Sequence, residues 1–291
     1  MRLTKSFSIA AIAAASVLVL AGCTDSEAPS AEPTVEEEVE FEAGTTMAAL
    51  NEAGAITIGT KFDQPLFGLK GPDGTPEGFD VEIGKLIAAQ LGIAPEDIKW
   101  VEAQSKNREP FIQSGDVDIV VATYTINDTR KEVVSFAGPY YVAGQDILVA
   151  AGNPEGIEGV EDLAGKNVCS VSGSTSEKNL IEAGAIVLPA AGYSDCLEPL
   201  RNGAVVALST DNVILAGLAA QNEGEFEVVG NPFTEEPYGI GLALEDDVFR
   251  DWINDVLEES FEDGTWAEAW DSTAGVVLET PDPPTVDRYT R

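Results

Sequence analysis

Runs of apolar residues alternate along the chain with segments in which apolar residues recur at helical spacing. The runs are rich in β-branched residues and predict buried strands over 55–60, 98–101, 117–122, 146–150, 168–171, 205–211 and 238–244. Helices are predicted between them, as over 83–91 and 246–259, where apolar residues share one face. Because strands that alternate with helices form parallel sheets, the pattern predicts an α/β fold with a parallel sheet.

The first 22 residues predict a lipoprotein signal peptide rather than part of the fold. A positively charged start precedes an apolar run, 9–20, which is too short for a transmembrane helix. The run ends in Leu-Ala-Gly-Cys, and small residues before a cysteine resemble a bacterial lipobox. This resemblance implies cleavage before Cys23 and acylation of its thiol, with fatty acids such as palmitate, which would anchor the protein to the outer face of the cell membrane. The alternative is an ordinary signal peptide with a chance cysteine.

Residues 23–45 predict a flexible tether between that anchor and the folded part. The segment is acidic, rich in Pro, Ala and Glu, and almost free of large apolar residues. It is therefore unable to bury a core, and its like charges repel and extend it. The folded part is expected to begin near residue 46.

The charge composition removes several classes of function. The chain carries 16 Lys and Arg against 51 Asp and Glu, for a formal net charge of −35, and has no histidine. The absence of histidine excludes histidine triads and histidine metal sites, and we expect neither a metal nor a cofactor. The acidity argues against nucleic acid as a partner. A small anion can still bind, because salt screens distant charges from a local cluster of cations.

The stretch 105–130 carries the strongest signal for a ligand site. Four of the 16 basic residues lie in this stretch or directly after it: Lys106, Arg108, Arg130 and Lys131. The strand 117–122 delivers Thr123 and Thr125 at its carboxyl end, where ligands of open α/β sheets bind. Arginine forks and hydroxyls suit a small carboxylate. Taken alone, either arginine is more often a solvated surface residue.

The second half of the chain adds two further candidates and a cysteine pair. Backbone N–H groups and hydroxyls at the predicted helix start 172–177 favour a carboxylate, and a plain helix cap is the alternative. Asp211 ends a strand, where it is either a helix cap or the partner of an ammonium group. Cys169 and Cys196 remain after Cys23 is assigned to the lipobox. In an exported chain we expect them to form a disulfide, and two buried free thiols are the alternative.

Several motifs occurring in one order resemble the polar amino-acid family of extracytoplasmic solute-binding proteins, family 3. They are the lipobox, Gly-Phe-Asp-Val at 78–81, Gln-Ser-Gly-Asp-Val-Asp at 113–118, Thr-Ile-Asn-Asp-Thr-Arg-Lys at 125–131, the run 136–141, and Ser-Gly-Ser-Thr at 172–175. Over residues 46–272 the chain is most similar to the glutamate-binding lipoproteins of actinobacterial ABC importers.

This resemblance implies a two-lobed, periplasmic-binding-protein-like fold of type II, with the ligand in the interlobe cleft and closure by a hinge motion. Lobe 1 would comprise 46–141 plus 240–291, and lobe 2 would comprise 146–235. The chain would cross between the lobes near 141–146 and 235–239. The protein is expected to be a monomer that delivers an amino acid to ABC permease and ATPase subunits.

The resemblance also assigns roles to residues of the cleft. Arg130 matches the arginine that pairs with the ligand α-carboxylate, and Asp211 matches the acid that takes the α-ammonium group. Thr123 and Thr125 match hydroxyl or backbone partners of these two ends. Thr175 matches a donor from the second lobe, and Arg108 and Ser105 match partners of a side-chain carboxylate. Lys61 lies where relatives can place a second cation, although its loop differs from theirs in length and type.

These matches favour L-glutamate as the ligand. A neutral amide would leave the Arg108 guanidinium buried and unpaired, which costs several kcal/mol. Aspartate and glutamine binders of the same family are the nearest alternatives. An enzyme on the same fold, of the dehydratase kind, would need a carboxylate in the cleft placed as general acid or base. Because Asp211 has a sufficient role as a binder, the sequence predicts a binding protein rather than an enzyme.

Overall fold

The computed structural model describes residues 33–36 and 39–290, so that the predicted signal peptide and Cys23 lie outside the described residues. The helices in this part of the chain are α1 (Thr46–Ala53), α2 (Phe79–Gln90), α3 (Arg108–Ser114), α4 (Asp128–Lys131), α5 (Thr175–Glu182), α6 (Leu197–Arg201), α7 (Asn212–Gln221), α8 (Asp247–Asp263) and α9 (Thr265–Ser272). Each helix in these two ranges is too short or too polar to span a lipid bilayer.

The strands form two five-stranded sheets and one small sheet. They are β1 (Ile56–Thr60), β2 (Asp63–Gln64), β3 (Gly68–Lys70), β4 (Pro76–Glu77), β5 (Ile98–Glu102), β6 (Ile119–Val120), β7 (Ser135–Ala143), β8 (Gln145–Ala150), β9 (Asn167–Val171), β10 (Ile186–Ala190), β11 (Ala207–Asp211), β12 (Phe226–Val228) and β13 (Glu236–Leu242). The first sheet has the order β5-β1-β6-β13-β7, the second has β10-β9-β11-β8-β12, and the small sheet is β2-β3-β4.

Each large sheet is the centre of one lobe. The chain passes from the first sheet to the second between β7 and β8, and it returns between β12 and β13. The two-lobed α/β architecture predicted above is therefore confirmed. The exact lobe boundaries and the extent of the tether stay predictions.

The prediction of parallel sheets holds for only three strands of each large sheet. In the first sheet β5, β1 and β6 are parallel, whereas β13 and β7 are antiparallel to their neighbours. In the second sheet β8 and β12 pair in the antiparallel sense. Parallel neighbours require a crossover connection, usually a helix, whereas β8 and β13 each enter their sheet directly from the other lobe with no helix before them.

The long helix α8 shows how the sequence pattern builds the first lobe. Asp246 caps it, since its carboxylate accepts a hydrogen bond from the backbone N–H of Phe249 at 3.1 Å, and Gly264 ends it with a φ of 92°. Phe249, Ile253 and Leu257 recur at helical spacing and are fully buried. The helix packs against β7, so that it covers one face of the first sheet.

An aromatic cluster fills the space between α2, β7 and α9. Phe79 lies in edge-to-face contact with Trp266 and Trp270, at centroid distances of 5.6 and 5.1 Å. The indole N–H of Trp266 donates to the backbone carbonyl of Tyr140 at 2.8 Å, so that its polar atom is satisfied in the core. This packing positions Tyr140, whose hydroxyl donates to the Asp80 carboxylate at 2.6 Å.

The second lobe carries the predicted disulfide. Cys169 on β9 and Cys196 before α6 are bonded, with Cα atoms 5.6 Å apart, and both are buried. The expectation of a disulfide is therefore confirmed, and the alternative of two free thiols is wrong. The bond ties a strand of the second sheet to the short helix that covers it.

Residues 279–290 have no regular secondary structure, yet they pack on the first lobe. The backbone N–H of Asp287 donates to the carbonyl of Gly138 at 2.8 Å, and the Tyr289 hydroxyl accepts from the backbone N–H of Phe136 at 2.9 Å. The ammonium of Lys131 lies 4.1 Å from the ring centroid of Tyr289. Lys131 therefore points to the tail, although it neighbours Arg130 in sequence.

Candidate functional site

The predicted site residues of both lobes meet between the two large sheets. The hydroxyl oxygens of Thr125, from the first lobe, and Thr175, from the second, are 3.5 Å apart. A cavity of about 760 Å³ opens beside them, and its lining includes Arg130 and Glu236. The five other predicted residues are all buried: Lys61, Ser105, Arg108, Thr123 and Asp211.

Arg130 is held by α4, which begins at a side-chain cap. The Asn127 side chain accepts from the backbone N–H of Arg130 at 2.9 Å. The Arg130 guanidinium donates through Nη1 to the carbonyl of Thr125 at 2.7 Å and through Nε to Glu109 at 3.1 Å. Its Nη2 reaches the carbonyl of Gly173 in the second lobe at 3.4 Å. Burial, together with the charge of Arg108, lowers the pKa of Arg130 to about 10.

Arg108 approaches the same region from α3. It donates through Nε to the carbonyl of Ser105 at 3.2 Å and through Nη1 to the carbonyl of Ala122 at 3.1 Å. The guanidinium carbons of Arg108 and Arg130 lie 4.2 and 4.9 Å from the ring centroid of Tyr124. No carboxylate of the described residues lies within ion-pair distance of Arg108. The two guanidinium groups therefore share the Tyr124 ring, but among the described residues only Arg130 has a carboxylate partner, Glu109.

Lys61 adds a third buried cation. Its ammonium donates to the Ser105 hydroxyl at 2.9 Å, and only 3% of the residue is exposed. Burial and the charge of Arg108 lower the pKa of Lys61 to about 7. The structure brings Lys61, Ser105 and Arg108 into one cluster, and the roles assigned to them from the sequence stay predictions.

Thr123 has a backbone conformation that is rare for a β-branched residue, with a φ of 43°. Its backbone N–H donates to Asp80 at 2.8 Å, and its hydroxyl donates to the side-chain oxygen of Gln64 at 3.0 Å. Asp80 also accepts from the Tyr140 hydroxyl at 2.6 Å, and burial raises the pKa of its carboxyl to about 7. These contacts hold the strained residue in place. Asp80 belongs to the Gly-Phe-Asp-Val motif, but the motif alone did not reveal its partner.

Asp211 keeps one carboxylate oxygen without a partner. Its Oδ2 accepts from the Tyr238 hydroxyl at 2.6 Å, whereas Oδ1 is buried and has no hydrogen bond among the described residues. Asp211 stands at the cap position of α7, but its side chain makes no capping hydrogen bond. Burial and the charge of Glu236 raise the pKa of Asp211 to about 7. A buried carboxylate oxygen in this state favours a cationic donor as its partner.

Glu236 is a residue of the cleft that the sequence analysis missed. Its Oε2 accepts from the hydroxyls of Thr125 and Thr175 at 2.7 and 2.8 Å, and its Oε1 accepts from Thr234 at 2.9 Å. Predicting the strand to begin at Tyr238 left Glu236 in a loop. The one sequence signal was its spacing from Tyr238, because residues two apart on a strand face the same side, but its hydroxyl partners were not visible in the sequence.

The lobes touch closely beside the site. Asp63 of the first lobe accepts from the backbone N–H of Tyr193 in the second lobe at 2.6 Å. A methyl group added at Gly217 of α7 would lie 2.6 Å from the carbonyl oxygen of Pro65, and one added at Gly173 would lie 2.9 Å from Cα of Lys106. Glycine at these two positions therefore permits the close approach of the lobes.

Residues 56–272 match the model of the bacterial extracellular solute-binding proteins, family 3. The chain belongs to this family. It is 41% identical to the glutamate-binding protein GluB of Corynebacterium glutamicum, in an alignment that covers 82% of this chain and 86% of that protein. It is 38% identical to the ABC transporter glutamine-binding protein GlnH of Bacillus subtilis, over 91% of this chain and 96% of that protein.

A solved structure supports the same assignment for the fold. An ancestral arginine-binding protein bound to glutamine superimposes with a TM-score of 0.70 at 35% identity, over 76% of this chain and 97% of that chain. The predicted family resemblance is confirmed. Because members of the family are extracellular solute-binding proteins, this chain is an extracytoplasmic solute-binding protein.

Proposed function

We propose that this protein captures an acidic amino acid, above all L-glutamate, in the interlobe cleft and delivers it to the permease and ATPase subunits of an ABC importer. The observation that carries the proposal is the incomplete pairing of the charged groups in the site. Among the described residues, the three buried cations Lys61, Arg108 and Arg130 have one carboxylate within ion-pair distance, Glu109, which pairs with Arg130. Asp211 meanwhile keeps a buried oxygen that lacks a donor among the described residues.

An acidic amino acid would complete these interactions. Its α-carboxylate would pair with Arg130, and its α-ammonium group would pair with Oδ1 of Asp211. Thr123, Thr125 and Thr175 would supply polar partners at that end of the ligand. The side-chain carboxylate would lie against Arg108, Lys61 and Ser105.

The cation cluster favours glutamate over glutamine, although the named relatives include binders of each. A neutral amide would leave Arg108 buried without an anion, and arginine does not lose its proton in proteins. Lys61 discriminates less, because its pKa of about 7 allows it to become neutral. The proposal therefore assigns the choice between the two ligands chiefly to Arg108.

The proposal assigns binding rather than catalysis to the buried carboxylates. Asp80 is held by the backbone N–H of Thr123 and by the hydroxyl of Tyr140. Glu236 accepts from three threonine hydroxyls. Asp211 has the ammonium group as its partner in the proposal. The lipid anchor at Cys23, the flexible tether and a monomeric state complete the proposal.

Calorimetric titration with L-glutamate, L-aspartate and L-glutamine tests the proposed ligand. The chain without residues 1–23 is expected to bind glutamate with micromolar or tighter affinity and glutamine about 100-fold more weakly, as expected when a buried charge lacks its partner. Arg108→Gln is expected to lose most of this preference. Lys106→Gln is the matched control, because Lys106 is exposed and only two residues away. Tighter binding of glutamine than of glutamate by the unaltered protein would refute the role of Arg108.

The glycine contact between the lobes gives a separate prediction. Gly217→Ala is expected to weaken glutamate binding by about tenfold, because a new methyl group 2.6 Å from the Pro65 carbonyl oxygen would hold the lobes apart. The same change favours helix α7 by about 0.5–1 kcal/mol, so that lower affinity is expected without lower stability. Calorimetry and urea unfolding measure the two quantities.

Ala220→Gly is the reverse control for this prediction. Ala220 is an exposed residue of the same helix, so that the substitution is expected to lower stability by about 0.5–1 kcal/mol and leave the affinity unchanged. If Gly217→Ala bound glutamate as tightly as the unaltered protein, the ligand-bound state would not require this contact.

A further inference from the structure

Glu236 joins the two lobes and one of the passages between them. It is the first residue of β13, which returns the chain to the first sheet, and it is 3% exposed. A single oxygen, Oε2, accepts one hydroxyl from each lobe, those of Thr125 and Thr175. The other oxygen accepts from Thr234, whose hydroxyl in turn accepts from the backbone N–H of Gln145 at 3.0 Å. The carboxylate is thus held from both passages.

These contacts decide which way the cleft hydroxyls point. A threonine hydroxyl has one proton to donate and two lone pairs to accept with. Thr125 and Thr175 both direct their protons to Glu236, at 2.7 and 2.8 Å, whereas their own oxygens are 3.5 Å apart. Each oxygen therefore has only lone pairs left for a ligand.

Acceptors then converge on one end of the cleft. Oδ1 of Asp211, which has no hydrogen bond among the described residues, is an acceptor as well, and the negative charge of Glu236 acts on both Asp211 and Arg130. An α-ammonium group has three donors and no acceptor, so that it fits lone pairs from two hydroxyls and a carboxylate. An α-carboxylate has only acceptors, and it would meet two hydroxyl oxygens that no longer have protons to offer.

We propose that Glu236 is a positioning residue of the amino-acid site. By taking the protons of the Thr125 and Thr175 hydroxyls, it presents both oxygens to the ligand's α-ammonium group beside Asp211. Arg130 then binds the α-carboxylate without help from these two hydroxyls. This inference rests on the proposed function and deepens it, because it selects for a free α-ammonium group whatever the ligand side chain is.

Glu236→Ala in the full chain, purified in mild detergent, tests the inference by calorimetry. The probe is whichever of L-glutamate, L-aspartate and L-glutamine the unaltered protein binds most tightly. We expect Glu236→Ala to weaken binding about tenfold or more, as for a lost hydrogen bond to a charged group. Glu235→Ala is the matched control, since Glu235 is exposed and adjacent, and it is expected to bind within about twofold of the unaltered protein.

The decisive comparison repeats the substitution in a Thr125→Val, Thr175→Val background. If Glu236 acts through the two hydroxyls, Glu236→Ala is expected to change the affinity of that background by less than about twofold, since coupled residues are not additive. An undiminished loss in this background would overturn the inference, because Glu236 would then act on the ligand without them. Unchanged binding by Glu236→Ala in the otherwise unaltered chain would overturn it equally.

Glu236→Gln provides a second variant that keeps the shape of the side chain and an acceptor oxygen. Its affinity for the probe amino acid is expected to be within about threefold of that of the unaltered protein. If Glu236 acted only through its negative charge, this substitution would weaken binding as much as Glu236→Ala does. A loss as large as that of Glu236→Ala would overturn the hydroxyl role. If the unaltered protein bound glutamine more tightly than glutamate, the proposed substrate would be refuted. The Glu236 variants would then still support or overturn this inference, with glutamine as the probe. Binding of none of the three amino acids would overturn both.

Discussion

Arg130→Ala is expected to weaken the binding of L-glutamate by at least about 100-fold, the effect of removing one partner of a buried ion pair. The guanidinium is fixed by α4, by the Thr125 carbonyl and by Glu109, so that it is preorganised for an α-carboxylate. Removal would leave that carboxylate without a cation and Glu109 without its ion-pair partner. Calorimetric titration against the unaltered protein measures the loss.

Two further variants separate this effect from a general loss of positive charge. Lys131→Ala removes the same charge one residue away, but Lys131 pairs with Asp287 at 3.2 Å and lies on the Tyr289 ring, so that we expect unchanged affinity. Arg130→Lys keeps the charge without the planar fork and is expected to fall between the two. An Arg130→Ala protein that binds glutamate within about threefold of the unaltered protein would refute the proposed role.

The joint substitution Cys169→Ala, Cys196→Ala is expected to lower the free energy of unfolding by about 3–4 kcal/mol in the loop-entropy account of disulfides. The two cysteines are 27 positions apart in the second lobe, so that the bond restricts the unfolded chain over a substantial loop. Urea unfolding of the oxidised protein and of the double variant measures the difference. The slope of the transition reports whether the second lobe unfolds separately from the first.

Reduction supplies the control for the disulfide. Dithiothreitol is expected to lower the stability of the unaltered protein to that of the double variant and to leave the double variant unchanged. Glutamate binding is a separate readout, because neither cysteine belongs to the ligand site. A loss of stability below about 1 kcal/mol would show that the bond contributes little to folding, whatever its presence in the native state.

Part of the site was predictable from sequence because three of its residues are close along the chain, whereas Lys61 lies 44 positions from its partner Ser105. Ser105, Arg108 and Arg130 flank one predicted strand, and open α/β sheets bind ligands where such strands end. The strand itself was predicted over 117–122, but only Ile119–Val120 pairs as β6. Thr123, with its positive φ, then turns the chain toward the cleft. The partner of its backbone N–H is 43 positions away, and the partner of its hydroxyl is 59 positions away.

The role of Glu236 was not predictable, because its partners, like those of Thr123, are distant along the chain. Its hydroxyl partners on Thr125 and Thr175 are separated from it by 111 and 61 positions, so that no local pattern joins them. That Oδ1 of Asp211 lacks a hydrogen bond within the described part of the chain was equally unpredictable, since a carboxylate at the end of a strand is commonly a helix cap. Such features depend on how the lobes meet, which only the folded chain establishes.

The order of the strands has a consequence for how the protein assembles during synthesis. The second sheet uses one continuous part of the chain, from β8 to β12, whereas the first sheet receives β13 only after the second is complete. Since β13 lies between β6 and β7, a nascent chain ending before it leaves two strand edges unpaired, which are sites for aggregation. The first lobe is thus begun first and finished last, and its late strand brings Glu236 into the cleft as it closes the sheet.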